Sequence, residues 1–177
     1  MKKLPRKLTK ANIDAAITAY KNLLDEIPLT IEADNLLELM TKIKRDKIGA
    51  GPWSKVSFFE ASNRIMSDLV ILYGVKSILD GNYVHLTQFT EFEVEFGNEN
   101  KNAHDIISHG ENTILIGEAF NVAPSLFNAK KNKSIKKLQK SDLKATTRII
   151  LCNMDAHKST PVLSDDTIEI IKVDIAL

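Results

Sequence analysis

Residues 57–81 constrain the fold more than any other stretch. Ser57 and Glu60 have the spacing of a capping box, and from there Phe59, Ile65, Met66, Leu69, Val70, Leu72, Tyr73, Val75, Ile78 and Leu79 run to a stop at Asp80-Gly81. A helix with this much apolar surface cannot lie at the edge of a soluble fold, so the pattern predicts a central, buried helix. Strand-like segments follow it in sequence, which makes a mixed α/β sheet covered by helices the expected architecture.

After Asn82 the period changes to two. Phe92, Val94 and Phe96 read as the core face of a strand that begins near Val84, with Thr87, Phe89, Glu91, Glu93 and Glu95 on the other face. Three like charges on one face repel each other unless solvent or a cation screens them. Solvated edge carboxylates are the simpler reading; Glu95 as a supporting acid beside a metal is the sharper one.

A tight hairpin comes next. Residues 104–108 and 113–120 are short apolar strands, and His109-Gly110-Glu111-Asn112 is a polar turn between them. A hairpin brings its outer ends together, so Asp105 and Glu118 converge. Two carboxylates at a sheet edge suit a hard divalent cation such as Mg²⁺ or Mn²⁺. Asn121-Val122-Ala123-Pro124-Ser125 then turns the chain into a helix whose inner face is read as Leu126, Phe127, Ile135 and Leu138. Lys130, Lys131, Lys133, Lys136, Lys137 and Lys140 project outward from it. Such a row is usually just a solvated face, but here it starts beside the candidate metal acids, where it would hold a phosphodiester backbone without reading bases. Residues 146–152 and 167–175 give two more strands, with polar loop over 153–166.

The order acid, turn, apolar strand, acid, helix resembles the core of the PD-(D/E)XK nuclease superfamily, over roughly residues 57–152. The resemblance implies a restriction-endonuclease-like mixed central sheet flanked by helices. It also implies Mg²⁺-dependent (or Mn²⁺-dependent) hydrolysis of DNA, with Asp105 and Glu118 as catalytic metal ligands, and pairing into a homodimer to cut two strands. The family pattern sets an acid, any residue and a lysine at 118–120, where this chain has Glu118-Ala119-Phe120. Three readings stay open. The lysine has moved to the next helix, with Lys130 first in line ahead of Lys131 and Lys133; Asn121 partly replaces it; or the fold is kept without catalysis. In the family a helix ahead of the sheet often carries an acid into the site, a role that would fall to Glu60, although capping is the plainer explanation for that residue.

The rest of the chain supports one domain. A length of 177 residues with 44% hydrophobic and 27% charged residues is ordinary for a soluble globular protein. Residues 1–50 read as an N-terminal helical segment and 51–177 as the α/β core. Ile13, Ala16, Ile17, Tyr20, Leu23, Leu24 and Ile27 mark one amphipathic helix ending before Pro28. Leu36, Leu37, Leu39, Met40 and Ile43 mark a second, capped by Asp34 or Asn35 and broken by Gly49-Ala50-Gly51-Pro52. A net charge of +1 gives no overall pull toward nucleic acid, so attraction must be local: Lys2, Lys3, Arg6, Lys7 and Lys10 at the start, and the lysine helix later.

Other chemistries are poorly represented. Cys152 is the single cysteine, which excludes an intrachain disulfide and a multi-cysteine zinc site and fits a reducing, cytoplasmic setting. No signal-peptide pattern or run of eighteen apolar residues occurs, so no membrane association is expected. His85, His104, His109 and His157 lack metalloprotease spacing and read as surface or strand residues; no glycine-rich phosphate loop is present. Trp53, with Phe58 and Phe59, reads as the anchor of a helix start, with a base-stacking surface as the alternative. Two other functions remain open: an inactive nuclease-fold module that binds nucleic acid or protein, and a scaffold subunit that packs as a homodimer.

Overall fold

A computed structural model describes residues 4–97, 99, 102–157 and 167–175. Lys2, Lys3 and most of the expected 153–166 loop lie outside the described residues. The chain builds one six-stranded mixed sheet with four α-helices around it. The strands are β1 (Lys7–Thr9), β2 (Glu91–Val94), β3 (Ile106–His109), β4 (Ile114–Phe120), β5 (Thr147–Asn153) and β6 (Ile168–Val173). They lie side by side in chain order. Pairing is antiparallel from β1 to β4 and parallel from β4 to β6, so β4 is the strand at which the sheet changes character.

The helices are α1 (Ile13–Asp25), α2 (Leu36–Arg45), α3 (Phe58–Leu79) and α4 (Phe127–Gln139). The apolar run at 57–81 forms α3, which starts where Ser57 Oγ accepts the Glu60 amide (3.2 Å) and stops at Gly81, whose φ of 85° suits glycine. Leu69, Val70, Leu72 and Val75 of α3 are buried against Leu115, Ile149, Leu151, Ile171 and Val173 of β4, β5 and β6. The alternate residues of these strands, among them Ile116, Phe120, Ile150 and Cys152, pack under Phe127 and Leu138 of α4. Two layers of helix thus enclose the parallel half of the sheet, as the period of two in β4 and β5 requires. Close contact between α3 and the sheet depends on Gly74. A Cβ there would sit 2.4 Å from Leu151 Cδ1 and 3.1 Å from Val173 Cγ2.

Several expectations need correction. The basic N-terminus contributes a strand: Leu8 is fully buried in β1, so the first fifty residues are not wholly helical and join the same sheet. The strand expected from Val84 begins only at Glu91. Val84–Leu86 form a short 3₁₀ turn that buries Leu86 and leaves Val84 exposed, because the chain must reverse after α3 before it can enter the sheet. Phe89, placed on the polar face by alternation, is buried for the same reason. In α2, Asn35 Oδ1 caps the Glu38 amide (3.0 Å), yet no residue of this helix is buried, and Leu36, Leu37 and Met40 face outward. Phe59 and Leu126, assigned to inner faces, are both exposed. Among the described residues no helix is long and apolar enough to cross a membrane.

Gly74→Ala is expected to lower unfolding free energy by about 1–3 kcal/mol through overpacking against Leu151. Urea denaturation measures this, and an unchanged midpoint contradicts the close approach of α3 to β5.

Candidate functional site

The hairpin of β3 and β4 sets the site. Its register pairs Ile106 with Gly117 and His109 with Ile114, and one step beyond the first pair Asp105 comes opposite Glu118. The Ala119 amide donates to Asp105 Oδ2 (2.8 Å), and the Glu95 amide donates to the Asp105 carbonyl (2.9 Å). Asp105 is therefore held from both neighbouring strands. Glu118 shares its side of β4 with Ile116 and Phe120, the side covered by α4, and it is only 5% exposed.

Both oxygens of Glu118 are engaged. Oε2 lies 2.7 Å from Lys137 Nζ, and Oε1 lies 2.8 Å from His104 Nδ1. His104 is itself buried, and its Nε2 faces Ser141 Oγ at 2.8 Å. Burial, then the charge of Lys137, holds the imidazole below its ordinary pKa, so it is neutral at pH 7. A proton on Nδ1, donated to Glu118, leaves Nε2 to accept from the Ser141 hydroxyl.

The two acids open into a cleft of about 640 Å³ between α3, the end of β4 and α4. Glu60, Asp68 and Glu95 also line it, as do Arg64, Lys130, Lys133 and Lys137. Lysines 130, 133 and 137 share one helical face at three-and-four spacing and turn toward the cleft. Lys131 does not line it; its ammonium lies 5.9 Å from the Phe127 ring centroid. Lys136 is exposed and also lies outside the lining. Asn121 lines the cleft, and its backbone N–H donates to Ser67 Oγ (3.3 Å), which ties the end of β4 to α3.

Electrostatics show how crowded this charge is. Burial, followed by repulsion from Glu118, raises the Asp105 carboxyl to about 6. Burial also raises Glu118, against the opposing pull of Lys137 and Lys130. Asp68 is 1% exposed and is raised to about 7 by burial, although Tyr20 Oη (2.7 Å) and the Gly97 amide (2.7 Å) both donate to it; Asp105 adds a smaller repulsion. Cys152 is buried with its thiol pushed up to about 11, which makes it an inert core residue.

The hairpin brings Asp105 and Glu118 to one cleft, as the turn pattern predicts, but their surroundings differ from those expected. The lysine that reaches Glu118 is Lys137, two turns beyond Lys130; Lys130 lines the cleft and acts on both acids only through its charge. Position 120 has no room for a lysine head group, since Phe120 is 1% exposed and packs edge-on against Phe127 with centroids 6.1 Å apart. Glu60 donates its backbone amide to the cap residue Ser57 and spends its carboxylate on Arg64 (2.5 Å) at the cleft rim, so the return bond of a capping box is not made. The deep acid from that helix is Asp68, which was missed, though a single aspartate inside an apolar run was a visible signal. Glu95 is buried in the cleft and takes the Asn102 amide, so it is no solvated edge carboxylate; Glu91 is one, paired with Lys7 at 2.8 Å. His104, read from its spacing as a surface or strand residue, is buried and meets Glu118 across the same hairpin that brings Asp105 to it.

Asp105 and Glu118 carry hard oxygen donors of the kind Mg²⁺ or Mn²⁺ takes, although both Glu118 oxygens and one Asp105 oxygen already have protein partners. Among the described residues no group of three His, Cys, Asp or Glu side chains converges as a ligand set. Comparison with protein-family models, with curated proteins and with solved structures finds no match for this chain.

Asp105 and Asp68 both lie above the ordinary aspartate value of 3.8, so the folded chain binds more protons than the unfolded one between about pH 4 and 7. Stability from this source is fully present below about pH 4 and is lost as pH rises through the folded values. In EDTA, wild-type unfolding free energy is expected to fall from pH 5 to 8. Asp105→Asn, which keeps an acceptor for Ala119, should remove about 1.4 kcal/mol of that fall, the part of the Asp105 titration that lies above pH 5. An identical pH slope in the two proteins contradicts a desolvated Asp105.

Proposed function

We propose that this chain is a metal-dependent nuclease of the restriction-endonuclease-like class that hydrolyses DNA phosphodiester bonds. The observation that carries the reading is the meeting of Asp105 and Glu118 at the hairpin mouth with the Lys137 ammonium against Glu118. Mg²⁺, when bound, supplies Lewis acidity for a water and for a phosphoryl oxygen. Asp105 and Glu118 would hold it, and their like-charge repulsion favours its capture. Lys137 adds fixed positive charge where the pentavalent phosphorus builds negative charge, and Lys130 and Lys133 hold the flanking backbone. His104 fixes the rotamer of Glu118 by one hydrogen bond and is fixed in turn by Ser141. The order of elements from α3 through β5 and the helical cover on the sheet are compatible with that class.

A second reading is favoured by one specific feature. Glu118 has both oxygens satisfied by protein donors, which is the arrangement of a closed, stable cluster. On that reading the cleft binds nucleic acid through its lysines and does not cut.

Supercoiled plasmid separates the two. With Mg²⁺ the wild type should nick it, and EDTA, Asp105→Ala or Glu118→Ala should abolish nicking. Lys137→Ala is expected to slow cleavage by roughly 10²-fold or more, and Lys130→Ala by less. Salt-sensitive binding without cleavage selects the second reading. Calorimetry with Mn²⁺ should show wild-type binding that Glu118→Gln weakens strongly, and equal heats in both overturn the metal site.

A further inference from the structure

Phe59 is 52% exposed, although it stands in the first turn of the most buried helix of the fold. Its two aromatic neighbours in sequence behave otherwise. Trp53 is 3% exposed and meets Tyr20 edge-on at 6.1 Å, so it belongs to the core, and Phe58 is half-buried. Helix packing therefore does not require the Phe59 ring to be where it is. The ring lines the same cleft as Asp105 and Glu118, and the ammonium of Lys44 lies 5.8 Å from its centroid. Across the cleft stand Leu126, also exposed, and the face of α4 that carries Lys130 and Lys133.

The depth of the acids matters as much as the lip. Glu118 is 5% exposed at the inner wall, and the cleft volume of about 640 Å³ is that of a small-molecule pocket. A phosphodiester must enter this space to approach Glu118. A single strand is slender enough to do so, whereas a duplex would first have to be opened locally, as negative supercoiling allows.

We infer that the cleft takes a single-stranded segment of nucleic acid, with an unpaired base stacked on Phe59 and its backbone running along Lys130 and Lys133 toward Asp105 and Glu118. This deepens the nuclease reading and rests on it for the chemistry, but the stacking site is a binding claim of its own. An aromatic platform beside a basic wall is the arrangement that binds single strands without selecting their sequence. Lys44 completes it with positive charge next to the ring, where the phosphate linked to a stacked base would lie.

The test measures fluorescence anisotropy of the full chain with a labelled oligothymidylate and with a blunt hairpin duplex of equal length, in EDTA so that binding is separated from cutting. The single strand should bind more tightly than the duplex. Phe59→Ala should weaken single-strand binding by roughly 5- to 100-fold and leave duplex binding nearly unchanged, while Phe59→Trp restores it. Far-UV circular dichroism checks that the Ala variant is folded. Equal single-strand affinity in wild type and Phe59→Ala, or a preference for duplex, overturns the inference; if duplex plasmid is still cut with Mg²⁺, the nuclease reading survives it. Phe59-dependent binding with no metal-dependent cleavage of either substrate supports the stacking site and sinks the nuclease. No binding to either oligonucleotide overturns both.

Discussion

The Glu118 carboxylate, buried under α4 and held between the Lys137 ammonium and the His104 ring, is the contact on which the remaining structure of the site depends. A carboxylate in this position is costly without partners, and both partners come from outside its own strand. Lys137 requires α4 to dock on the sheet; His104 requires the segment before β3 to close against β4. The hairpin register, the helix docking and the cleft are consequently three aspects of one requirement.

That requirement also explains the shape of the charge distribution. Asp68, Glu95, Asp105 and Glu118 all border one cleft, and Arg64, Lys130, Lys133 and Lys137 stand around it. The whole chain is nearly neutral, with a net charge of +1, so this local opposition is invisible in composition. It is a property of the fold, which brings a helix of lysines over a sheet end carrying acids. Burial raises Asp105 to about 6 against the pull of Lys137 and Lys130, and raises Asp68 to about 7, where Arg64 is the opposing cation.

How much of this was legible in the residues varied with the kind of signal. Local patterns were readable: α1, α3 and the hairpin lie where period and turn chemistry put them, because each is decided by neighbours in sequence. Asp105 and Glu118 were legible for the same reason, since a hairpin converts sequence separation into proximity. Contacts between distant segments were not. Lys137 and Lys130 are equivalent in sequence terms, and only the docking angle of α4 separates the one that touches Glu118 from the one that does not. β1 was hidden by its own lysines, because a three-residue edge strand has too few alternations to register against a basic background. Asp68 was overlooked inside an apolar run that, apart from the exposed Phe59, packs as core.

Phe120 has a wider significance. Phe120 fills the place after Glu118-Ala119 with a ring that packs on Phe127, and the cationic group that reaches Glu118 is borne on a helix rather than on the strand. A strand-borne group is fixed once the sheet has formed, but one borne on α4 is in place only while the helix stays seated. The Phe120 and Phe127 rings thus act as the latch for that seat, and any ligand or partner that loosened it would disarm the cleft without touching a single acidic residue.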